Sequence, residues 1–230
     1  MIFTVLREFQ DNPAALLAFV AAWAVAIVTG LAFHEFCHAW SAYQLGDDYA
    51  ARQGRLTLNP LRHLDPIGSL LLLIVGIGWA KPTPVIPSRL RYGPVRGGAI
   101  VSVAGPLSNF VIAAIAALPL RAGWIDSVSS FSEIGSASPM ETVGLFLQFI
   151  VFLNVILGVF NLIPIPPLDG FDVIQPILPR EVRLALAPMR QWGMGILMIL
   201  FILPFATGGA INPLGELITR GSDFVFRIVA

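Results

Sequence analysis

From Pro13 to Phe33 the chain runs for 21 residues without a charged side chain, and the run ends on His34-Glu35-Phe36-Cys37-His38. A helix of that length covers the roughly 30 Å of hydrocarbon in a bilayer. The chain must therefore carry two imidazoles and a carboxylate at the far end of a membrane span. On a helix, residues four apart sit about 40° apart around the axis, so His34 and His38 project from one face, one turn apart. Two imidazoles so placed can hold one Zn²⁺, and Glu35, about 100° round from His34, then stands where a general base is needed. An H-E-x-x-H string also arises by chance. Here, however, the chain has only three histidines, two of which flank Glu35 in an apolar segment. Ionisable groups in such segments are costly and mark function by default.

Composition agrees with a membrane location. The 230 residues are 56% hydrophobic and only 12% charged, whereas a soluble domain has about 25% charged residues. The expectation is an integral membrane protein in contact with the lipid bilayer. A formal net charge of zero argues against a nucleic-acid partner. The lone cysteine, Cys37, excludes an internal disulfide and reads as a small apolar residue. No cleavable signal is read: residues 1–12 carry Arg7, Glu8 and Asp11 and look like a short amphipathic or extended lead-in.

Four spans are expected, at 13–45, 98–120, 143–162 and 189–206, in an all-α polytopic membrane protein forming a single domain over residues 1–230. Asn12 and Pro13 suit the start of the first helix and Gly46 its end. Residues 46–97 are read as a re-entrant and edge-strand region. Within it, Ile67–Trp79 is an apolar run too short to span, and Lys81–Pro87 carries prolines that would confine it to a sheet edge. Such an edge could pair with an unwound substrate. Residues 121–142 read as a polar loop and the tail after 206 as amphipathic. Of the Lys and Arg residues, ten fall in 46–98 and 171–190 and four on the other side. The positive-inside rule then puts those segments in the cytoplasm and both termini outside, in the cell membrane. His34, His38 and Asp169 all fall near the cytoplasmic ends of spans.

A catalytic zinc takes three protein ligands and keeps one position open. Asp169 is the candidate third ligand, because Pro164, Pro166 and Pro167 break the helix just before it. Asp172, three residues on, competes with it.

These residues resemble the site-2 proteases, intramembrane zinc metalloproteases, over about 13–206. His34-Glu35-x-x-His38 is similar to that family's first motif. Asn161-x-x-Pro164-x-x-Pro167-Leu168-Asp169-Gly170 resembles its more specific N-x-x-P-x-x-P-L-D-G motif, and Gly105-Pro106-x-x-Asn109 its G-P-x-x-N element. Lys81-Pro82-x-Pro84-Val85 looks like its edge strand. The resemblance implies one Zn²⁺ per chain, bound by His34, His38 and Asp169, with Glu35 as base. It implies that Asn161, and Asn109 with it, hold substrate or the oxyanion, and that the substrates are transmembrane proteins or peptides. There is no room for an inserted PDZ domain. The competing readings are a metal transporter and an inactive scaffold. A transporter would show polar residues through several spans, and an inactive relative would be expected to lack Glu35.

Overall fold

The computed structural model describes residues 12–75, 78–126, 133 and 137–229. Its helices, in chain order, are α1 Pro13–Gln44, α2 Tyr49–Arg52, α3 Pro66–Val75, α4 Gly93–Arg121, α5 Pro139–Asn161, α6 Asp169–Ile174, α7 Arg180–Leu186, α8 Met189–Ala206 and α9 Pro213–Val229. Short 3-10 turns at Pro60–Arg62 and Pro87–Arg89 punctuate the stretch between α2 and α4. Four helices, α1, α4, α5 and α8, are long and apolar enough to cross a membrane. The lead-in at 1–11, Gly76 and Ile77, and most of the loop between α4 and α5 lie outside the described residues.

The helix starts follow local chemistry. The Asn12 side chain accepts from the Ala15 amide at 3.1 Å, with Pro13 in the first turn of α1. Ser138 and Glu141 cap α5 reciprocally, at 3.2 and 2.8 Å. Since lipid competes equally for apolar side chains, spans associate by close approach of small residues and by polar contacts. The buried positions fit that rule. They include Ala15, Ala22, Ala26, Gly30 and Ala32 on α1, Gly97, Gly105, Ala113, Ala116 and Ala117 on α4, and Gly144 and Gly158 on α5. α1, α4 and α5 thus form the central trio. α9 lies along α5: Leu214 packs with Ile163 and Leu168, Phe226 stacks on Phe152, and the Ile228 carbonyl accepts from Arg121.

Between the first two spans the expected edge strand does not form, and the described residues do not support a re-entrant segment. Among the described residues the only β pairing is an isolated antiparallel bridge between Leu64 and Ala80. Residues 67–75 of the apolar run lie in the ten-residue helix α3, and the segment 81–86 has no regular structure and leads into the turn at Pro87. Its donors explain why. Pro82, Pro84 and Pro87 have none, the Thr83 amide goes to Glu35, and the Ile86 amide goes to Asp47. No row of donors is left on one edge.

Two buried charges organise this segment instead. Asp47, fully buried, accepts from Tyr49 and Ile86 at 3.2 and 2.6 Å. The buried Arg55 guanidinium donates to the carbonyls of Arg62, Lys81 and Pro82, the last at 2.9 Å. Burial lowers the Arg55 pKa, and the neighbouring Glu35 carboxylate opposes that shift. Arg55→Met leaves those carbonyls without a charged donor, a loss of about 1.5–3 kcal/mol. The variant should be cut faster by added protease within 80–86; an unchanged cutting rate would show that Arg55 does not hold the segment.

Candidate metal centre

His34 and His38 leave the same face of α1 one turn apart, as their spacing predicts, and α6 brings Asp169 up against them. The two Nε2 atoms are 3.0 Å apart, and Asp169 Oδ2 lies 3.1 Å from His34 Nε2 and 3.3 Å from His38 Nε2. Ligands sharing one Zn²⁺ at bonds of about 2.0–2.1 Å would be separated by about 3.3 Å in a tetrahedron. Of the described His, Cys, Asp and Glu side chains, this is the one group of three whose ligand atoms converge. Asp169 Oδ2 is buried and receives no hydrogen bond.

The other face of each ring supports the same chemistry. His38 Nδ1 meets the Val101 carbonyl at 2.7 Å, and His34 Nδ1 meets Asn109 Oδ1 at 2.8 Å. A carbonyl oxygen only accepts, so each Nδ1 carries a hydrogen, and the neutral ring that a metal requires then presents the Nε2 lone pair to the cluster. α4 crosses directly over the rings at Gly105. A Cβ there would lie 2.4 Å from His38 Nε2 and 2.7 Å from His34 Cε1. The donor set, the unpaired carboxylate oxygen and the space kept by glycine all fit a divalent metal.

Glu35 is buried beside this cluster and does not join it. Its Oε2 accepts from the Thr83 amide at 2.9 Å and from Thr83 Oγ1 at 2.7 Å. Thr83 thus holds the carboxylate, and the Arg55-anchored chain holds Thr83.

The remaining predicted residues are placed as follows. Asn109, fully buried, stands behind His34 with its amide nitrogen bonded to Gly30 O and Asn154 Oδ1. Asn161 is half-buried at the end of α5, its amide turned back to Leu157 O at 2.9 Å. Asp172 points away from the imidazoles and pairs with Arg190, which also lies 5.0 Å over the Phe171 ring. His63 is buried in the loop against Thr57 O, apart from the cluster. Sequence reasoning passed over two contributors, Thr83 and Asn154. Asn154 left a signal, being, with Gln148, one of two amides in the middle of an apolar span.

A helix-borne pair of histidines and a proline-delivered aspartate within a helical membrane bundle define a metallopeptidase class of site. Comparison with known proteins agrees. Residues 121–204 match Peptidase family M50. The chain is 34% identical over 226 residues to a Bacillus subtilis protein named "Putative zinc metalloprotease YwhC", covering 97% of this chain and 96% of that one. It is 36% identical over 190 residues to a Mycolicibacterium smegmatis protein named "Putative zinc metalloprotease Rip2", covering 80% of this chain and 66% of the relative. No solved structure matches. The chain belongs to peptidase family M50, the site-2 protease family, and is a metalloprotease.

Four variants follow from this geometry. Asp169→Ala should strip bound metal from the purified protein while Asp172→Ala retains it; a larger loss from Asp172→Ala would contradict the cluster. Thr83→Val removes one hydrogen bond to a charged group, so peptidase activity should fall about 10- to 100-fold with metal content unchanged. Thr83→Ser should keep most of the activity, and equal losses in the two variants would show that the hydroxyl is immaterial.

Proposed function

We propose that this chain is a zinc-dependent intramembrane endopeptidase that hydrolyses peptide bonds in or near the transmembrane segments of membrane-protein substrates. The observation that carries this reading is the convergence of His34 Nε2, His38 Nε2 and Asp169 Oδ2 at the end of a span, with Glu35 buried beside them. These three side chains would hold one Zn²⁺ per chain. When bound, the ion would supply a Lewis acid that activates water and polarises the scissile carbonyl.

The chain's own groups do the rest. Glu35 takes a proton from the attacking water and delivers it to the leaving amine. Thr83 keeps the carboxylate from swinging towards the cluster, where it would become a fourth ligand. Asn161 is assigned to the substrate carbonyl, because both ends of the Asn109 amide are engaged behind His34. A helical substrate hides its carbonyls, so it must unwind before its peptide bond reaches Glu35.

The charge distribution supports a cell-membrane protein with the site towards the cytoplasm and both termini outside. Water would then reach Glu35 from the cytoplasmic face. A single membrane domain over residues 1–230, acting in regulated intramembrane proteolysis, is the biological setting that best fits this reading.

The test is cleavage of a purified model transmembrane substrate in detergent or proteoliposomes. The wild-type chain should cut it, a zinc chelator should abolish cutting, and added Zn²⁺ should restore it. Glu35→Gln should reduce turnover by about 10²–10⁴-fold while retaining metal. Undiminished cleavage by Glu35→Gln would overturn the mechanism, and loss of metal with activity would make Glu35 a ligand.

A further inference from the structure

A one-way chain of hydrogen bonds runs through the buried face of α1, α4 and α5 and ends on His34. It starts at the Ile150 carbonyl, which can only accept, so the Asn154 amide nitrogen, 2.9 Å away, must face it. Asn154 Oδ1 is thereby turned towards Asn109, whose Nδ2 donates to it at 3.0 Å. The same Asn109 nitrogen donates to a second backbone carbonyl, Gly30 O, also at 3.0 Å. Both of its protons are then engaged, and Asn109 Oδ1 is left for His34 Nδ1 at 2.8 Å. Two backbone carbonyls thus determine which way both amides point, and the amides determine which nitrogen of His34 faces the cluster bare.

The burial of these groups is costly unless every one is satisfied. Asn109 and Asn154 are both 0% exposed. α1 gives up a side chain to admit them, since a Cβ on Gly30 would lie 2.7 Å from Asn154 Oδ1. An apolar residue at 154 would complete the α4–α5 contact without any of this. The asparagine therefore serves something beyond packing.

We infer that Asn154 is a positioning residue for the metal centre: acting through Asn109, it holds the His34 ring in the orientation and tautomer that bind the ion, and so sets metal affinity. The inference rests on the zinc reading above. The hydrogen bonds of Asn154 run to Asn109 and the Ile150 carbonyl and not to the ligand cluster, so its effect should appear in metal affinity first. A polar bridge that merely joined α4 to α5 would leave that affinity unchanged.

The experiment is a competition titration of the purified full-length chain against a zinc-chelating dye, reading zinc affinity directly. Asn154→Val and Asn154→Thr have nearly the same shape. The threonine hydroxyl can accept from Asn109 and donate to the carbonyl four residues back, whereas valine can do neither. Asn154→Val should weaken zinc binding about tenfold or more, as loss of outer partners of metal ligands does. Asn154→Thr should keep wild-type affinity. Adding Asn154→Val to Asn109→Leu should weaken binding no further than Asn109→Leu alone, because the two act in series. Gly30→Ala, which keeps α1 helical but pushes Asn154 aside, should also weaken binding, and it decides the matter if Asn154→Val does not fold. Wild-type affinity in Asn154→Val or Gly30→Ala, equal loss in the valine and threonine variants, or additive losses in the double variant would each overturn the inference. A wild-type chain that binds no zinc would instead refute the metal-centre reading on which it rests.

Discussion

Everything in this bundle answers to three lone-pair atoms held about 3 Å apart in a largely apolar setting: His34 Nε2, His38 Nε2 and Asp169 Oδ2. Burying such a cluster is costly, because two ring nitrogens and a carboxylate oxygen crowd within 3.3 Å of one another away from bulk water. A divalent cation held among them would turn that crowding into coordination. The outer partners are arranged for the same end, with one ring donating to the Val101 carbonyl and the other to Asn109. Both ligands on α1 are thus oriented by α4, whose Gly105 is the only residue type able to pass so close above them. The packing of the central helices and the state of the metal site are one problem.

Placing both imidazoles and the base on one helix has a mechanical consequence. Their backbone spacing is as rigid as α1 itself, while the ring orientations, the third ligand and the orientation of the base depend on other parts of the chain. Asp169 is delivered by a proline-broken turn, where irregular backbone is tolerated because it is buried in protein. Glu35 is steadied by Thr83 on a segment that Arg55 and Asp47 tie down. The elements bearing on chemistry from outside the central helices are thus short and individually anchored. The anchors of the segment bearing Thr83 are buried charges and not strand pairing.

Much of this was legible in the sequence, for identifiable reasons. The spacing of His34 and His38, the charge-free run before them and the helix break before Asp169 are local signals, and each specifies its feature without reference to distant residues. The caps at Asn12 and Ser138 are of the same kind. The segment 81–87 was read as an edge strand because its prolines suit one. Its actual form depends on the carboxylates of Glu35 and Asp47, 48 and 39 positions away in the chain from the amides they capture. No local pattern reports that. The resemblance gives Asn109 a part in holding substrate or the oxyanion; its side chain meets His34 Nδ1, Gly30 O and Asn154 Oδ1, partners on two other helices that no local pattern names. Local reasoning leaves Asp169 and Asp172 both open; the structure sets Asp169 against the imidazoles and pairs Asp172 with Arg190, a partner 18 positions away.

The central claim is that two imidazoles and one carboxylate of this chain bind a single zinc ion. Zinc-edge X-ray absorption on the purified protein measures that directly. The account predicts one zinc per chain, with nitrogen and oxygen neighbours at about 2.0–2.2 Å, an imidazole scattering pattern from two rings, and no sulfur shell. A sulfur neighbour at about 2.3 Å, which could come only from Cys37 or a methionine, or a coordination shell lacking imidazole, would contradict it.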